Sequence, residues 1–117
     1  MLSNARARAA TLIACAALLN GCGATAEASG DKRACDVVGR SMARLTQGDY
    51  EEAAEAARSL QDLVDDVERE DLKERILLAA TFGPRIDNVG DMDTDEFVFV
   101  TGALLEADTM CIDKGLL

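Results

Sequence analysis

A chain of 117 residues with 22 carboxylates against 12 basic groups, a formal net charge of −10, is repelled by phosphate backbones and anionic lipid headgroups, so no nucleic-acid partner is expected. Histidine and tryptophan are absent, which excludes Ser-His-Asp and Cys-His catalytic arrangements and His-ligated zinc sites. The length allows one domain, near the size at which a single core needs a covalent staple.

Residues 1–8 hold Arg6 and Arg8 and no acid, and Ala9 to Leu19 is an almost wholly apolar run. The run is too short for a transmembrane helix, which needs ~20 residues. A basic start followed by a short apolar stretch is the layout of a secretory signal peptide. Leu19-Asn20-Gly21-Cys22 then resembles the lipobox of bacterial lipoproteins, in which an aliphatic residue and two small or tolerated ones precede an invariant Cys. The resemblance implies cleavage before Cys22 and lipidation of its thiol, with acyl chains such as palmitate. The domain would then sit on the extracytoplasmic face of the cell membrane. A second site competes: Ala24-Thr25-Ala26 fits the small-x-small rule of the general signal peptidase, and cleavage there would release a soluble protein beginning at Glu27. On the lipoprotein reading, residues 1–21 are the signal peptide, 22–33 a flexible tether, and 34–117 a helical domain.

Cys15 leaves with the signal, and Cys22 is acylated or cut away. Cys35 and Cys111 remain under either scenario and, in an oxidising compartment, are expected to form a disulfide.

The first helix is expected to begin at Ala34, with Val37, Val38, Met42 and Leu45 on one face, and to stop at Gly48. Asp49, followed three residues later by Glu52, reads as a capping box. The second helix carries Tyr50, Ala53, Ala57, Leu60, Val64 and Val67 on one stripe. The run from Gln47 to Ala53 resembles the inter-helix turn of a tetratricopeptide repeat. Val37, Arg40 and Ser41 stand where that repeat has its aromatic and Leu-Gly residues, and no second copy follows. The run is therefore the general pattern of an αα-hairpin.

No Gly or Pro interrupts Asp49 to Ala80, but the apolar phase changes across Glu68-Arg69-Glu70-Asp71. Asp71 is expected to cap a third helix bearing Leu72, Ile76, Leu77 and Ala80, ended by Gly83-Pro84. Residues 83–92 read as a loop. Asp93 and Glu96 form a second capping box, and the last helix carries Phe97, Val100, Leu104 and Cys111 up to Lys114-Gly115. Phe97 to Thr101 alone would suit a strand. Helix parity favours the break at 68–71. In an up-down bundle of four helices the first begins at the end where the fourth finishes, so Cys35 and Cys111 can meet; with three they would lie at opposite ends. The expected fold is an all-α, up-down four-helix bundle closed by one disulfide.

Asp91, Asp93 and Asp95 match the first three liganding positions of a calcium loop, but Glu96 occupies the position that needs Gly, and Gly102 the position that needs the bidentate Glu. The stretch therefore reads as a solvated loop running into a helix cap. No metal, cofactor or catalytic residue is expected, and nothing in the pattern supports an enzyme. The expected role is a membrane-tethered, extracytoplasmic, non-enzymatic interaction or structural module with an unknown protein partner. The alternative is a small-ligand or cation-binding protein, possibly released in soluble form. The first needs an exposed apolar patch or a localised acidic face, the second an unfilled pocket. The tether would place the disulfide end nearest the membrane and turn the acidic Glu51, Asp91 and Asp93 end outward.

Overall fold

The computed structural model describes residues 29–117, so the signal, Cys22 and most of the tether lie outside the described residues. Four α-helices run in chain order: α1 Gly30–Thr46, α2 Tyr50–Ser59, α3 Glu70–Phe82 and α4 Thr94–Asp113. No strand occurs among the described residues, so Phe97 to Thr101 is helical. The bundle is the expected up-down arrangement. Cys35 near the start of α1 is bonded to Cys111 near the end of α4, with Cα atoms 5.6 Å apart and both residues fully buried.

α1 begins at Gly30, ahead of the expected Ala34. Ser29 caps it by accepting from the Lys32 backbone N–H at 3.1 Å. The extra turn is anchored by tertiary contacts. The buried Asp31 accepts from the Glu68 N–H at 2.7 Å and pairs with Arg69 at 3.6 Å. A side chain at Gly30 would overlap the Asp66 carbonyl. Gly48, at φ +79°, makes the left-handed turn out of α1, and Asp49 caps α2 through the Glu52 N–H.

The second helix is shorter than its apolar stripe predicts. The α-helix stops at Ser59 and gives way to two 3₁₀ turns, Leu60–Asp62 and Val64–Asp66, before the chain extends at Val67. Asp62, Asp65, Asp66 and Glu68 explain the change, because carboxylates are unfavourable at a helix C-terminus. The tighter turns still bury Leu60, Val64 and Val67. The N-cap of α3 is Arg69 and not Asp71; Asp71 lies in the first turn and accepts from the Leu72 N–H. Residues 83–91 are likewise 3₁₀-helical and not an open loop, with a kink at Asn88. Pro84 starts this segment with its preset φ, Ile86 is fully buried, and a Cβ on Gly83 would sit 2.8 Å from the Ala57 Cβ.

Two apolar clusters result. The larger surrounds the disulfide and includes Val38, Leu60, Leu72, Ile76 and Leu104. The smaller, Ala53, Ala54, Ile86 and Val100, lies toward the Gly48 end, with Tyr50, Phe82, Met92 and Phe97 packed around it. Leu77, expected in the core, is instead 52% exposed on the outer side of α3.

The bridge closes a separation of 76 residues, worth ~4–5 kcal/mol in the chain-entropy model. Reduction should lower Tm by more than ~15 °C, and neither thiol should be alkylated in the native oxidised protein. Gly30→Ala should cost about 1–3 kcal/mol by overpacking against Asp66, measured by chemical denaturation.

Candidate interaction surface

The acidic end is more structural than its composition suggests. Asp93 is the N-cap of α4, its carboxylate accepting from the Glu96 N–H at 2.7 Å. Asp87 pairs with Arg58, Glu96 with Arg85, and Glu52 with Arg44. Glu51 and Asp91 are exposed and take part in no ion pair among the described residues. The arginines thus neutralise much of this end, and Asp91, Asp93 and Asp95 do not converge with other acids into a metal-binding group among the described residues.

The side of the bundle formed by α3 and α4 is different. Most surface helices carry one apolar stripe and a polar opposite face. α4 buries Val100, Ala103, Leu104, Ala107 and Cys111, yet its other side exposes Val98 (61%), Phe99 (54%), Leu105 (52%) and Ile112 (55%). Phe99 meets Phe82 of α3 edge-to-face, with ring centroids 4.7 Å apart. Two shallow clefts follow this side: one is lined by Leu78, Val98, Phe99, Gly102, Ala103 and Glu106, the other by Arg75, Leu105, Glu106, Thr109, Met110 and Asp113. The Arg75–Glu106 ion pair, 3.0 Å, spans the two helices between them.

Gly102 sits in the interior of α4 with nothing within 4 Å of the place its Cβ would take. The bundle itself does not require a glycine there, and a helix-interior Gly costs roughly 0.5–1 kcal/mol relative to Ala.

The charges around α4 are one-sided. Its 20 residues include Asp95, Glu96, Glu106, Asp108 and Asp113 and no Lys or Arg. Partial burial pushes the Asp108 carboxyl above its ordinary value, and no cation pairs with it among the described residues. At the C-terminal end Lys114 hydrogen-bonds Asp71 of α3 at 2.9 Å. That contact, aided by the Leu72 N–H, holds the Asp71 carboxyl below its ordinary range.

Sequence periodicity identified the buried face of α4 but not the apolar character of its outer face. The signal was present: Val98, Leu105 and Ile112 recur at seven-residue spacing. Cys35 and Cys111 are brought together as expected, and Cys22 lies outside the described residues. No helix among the described residues is long and apolar enough to cross a membrane. The chain matches no known family model, and no curated protein or solved structure is significantly similar to it.

Asp93→Ala should cost ~1 kcal/mol through the lost cap, whereas Gly102→Ala should stabilise by roughly 0.5–1 kcal/mol; denaturant titration checks both. In carbon-detected NMR titrations, Asp71 should titrate below 3.8 and Asp108 above it. The two signs differ. The Asp71 contribution is present above its ordinary pKa and is lost as pH falls through the depressed native value. The Asp108 penalty is full above its raised native pKa and disappears as pH falls toward the ordinary one.

Proposed function

We propose that this protein is a non-enzymatic interaction module, lipid-anchored at Cys22 on the extracytoplasmic side of a membrane, that binds a protein partner through the outer face of α3 and α4. The observation that carries the reading is the exposed row Val98, Phe99, Leu105 and Ile112 on a helix already packed by its opposite face. Isolated exposed apolar residues are ordinary, but a contiguous row along one helix marks an interaction site. The anchor rests on the Leu19-Asn20-Gly21-Cys22 motif, and the Cys35–Cys111 bridge accords with an oxidising compartment.

The acidic Glu51–Asp91 end is the weaker contact surface, because Arg44, Arg58 and Arg85 neutralise its neighbouring carboxylates. Small-ligand binding finds less support, because the clefts found among the described residues are open surface grooves and the largest core side chains are fully buried.

Two measurements test this reading. Mass spectrometry of the native protein should find a lipid-modified Cys22 at the N-terminus, and Cys22→Ala should move the protein out of the membrane fraction. A soluble product beginning at Glu27 would contradict the anchor. Separately, Leu105→Asp should abolish association with the partner while leaving the fold and membrane fractionation unchanged.

A further inference from the structure

The outer row of α4 has a regular spacing. Val98, Gly102, Leu105, Thr109 and Ile112 alternate by four and three residues, the spacing of the core positions of a coiled-coil heptad. They span ~21 Å at 1.5 Å per residue, about four helical turns. In this register Glu106 and Asp113 border the seam on one side and Asp108 on the other, where a paired helix would place its own flanking residues. Gly102 and Thr109 leave small sites between larger neighbours. Gly102 is unfilled by the bundle's own side chains, as a position for close helix approach would be.

Resting on the interaction-module reading above, we propose that this seam docks an amphipathic helix of a second protein, with apolar residues at heptad spacing and lysine or arginine on both flanks. Charge selects this occupant. A second copy of the chain would set Asp108 and Asp113, unpaired among the described residues, against like carboxylates, with Glu106 alone already held by Arg75, and anionic headgroups would be repelled in the same way. A cationic helix would instead supply Asp108, already partly desolvated, with the counter-charge it lacks among the described residues.

The test places a photo-crosslinking amino acid at position 105 of the full chain in its native host, and the crosslinked peptide is sequenced by mass spectrometry. An apolar heptad segment flanked by Lys or Arg is expected. A synthetic peptide with leucine at the core positions and lysine at the flanks should bind the purified oxidised protein at least tenfold more tightly than its glutamate-flanked counterpart. Gly102→Leu and Leu105→Asp should each weaken that binding at least tenfold. Gly102→Leu replaces a poor helix former at an open position, so its loss of binding is not a loss of fold. A crosslink to an acidic or non-helical segment of another protein, or equal binding of the two peptides, would overturn the proposal and leave the module reading standing. A crosslink to a second copy or to lipid would overturn the proposed occupant, and the absence of any protein adduct would sink both readings.

Discussion

The Cys35–Cys111 bridge is the constraint on which the rest of the structure depends. It ties the first turns of α1 to the last turns of α4, so the intervening chain must make an even number of passes. The same end gathers the polar locks of the fold: Asp31 on the Glu68 backbone and Arg69, and Lys114 on Asp71. The chain has only one tyrosine and three phenylalanines, and seven of its buried core residues other than the cysteines are alanines on α2, α3 and α4. Small side chains let helices approach closely but remove little apolar area from water. A covalent constraint on the unfolded chain supplies what such a core lacks.

This arrangement divides the molecule unevenly. The cluster around the bridge holds most of the large buried side chains, whereas the cluster of Ala53, Ala54, Ile86 and Val100 is closed by the 3₁₀ segment 83–91 and two arginine–carboxylate pairs at the surface. Exposed ion pairs contribute little. The Gly48 end is therefore the more easily opened one. α4 spans both clusters, and its inner stripe is already committed to them. Apart from the contact of Phe99 with Phe82, its outer stripe is left uncovered by the bundle, and a glycine that the fold does not need lies in its middle. These surplus features connect the architecture to the proposed role.

Much of this was legible in the sequence. Gly48 with Asp49, and Asp93 with Glu96, marked two helix starts through capping chemistry that depends only on local residues. The cysteine pairing followed from the expected export, and helix parity then favoured four helices over three. The errors arose where tertiary contacts override local pattern. Ser29-Gly30-Asp31 extends α1 because Asp31 finds the Glu68 N–H, a partner 37 residues away. The stripe Leu60, Val64, Val67 suits an α-helix, but the acid run beside it opposes the helix dipole and the chain tightens into 3₁₀ turns that bury the same residues. Gly83, Ile86 and Val89 repeat every three residues, a 3₁₀ signature obscured by the neighbouring Gly and Pro. On α4 the buried stripe alone is enough to specify a helix, so the outer row carries no weight in that reading.

Peptide mapping of the native protein under non-reducing conditions tests the central claim most directly. Alkylation before digestion should leave the peptides containing Cys35 and Cys111 joined, and reduction should release both as free thiols. Recovery of Cys35 and Cys111 as separately alkylated peptides, or either one bonded to a different cysteine, would contradict the four-pass bundle and the placement of α4 that follows from it.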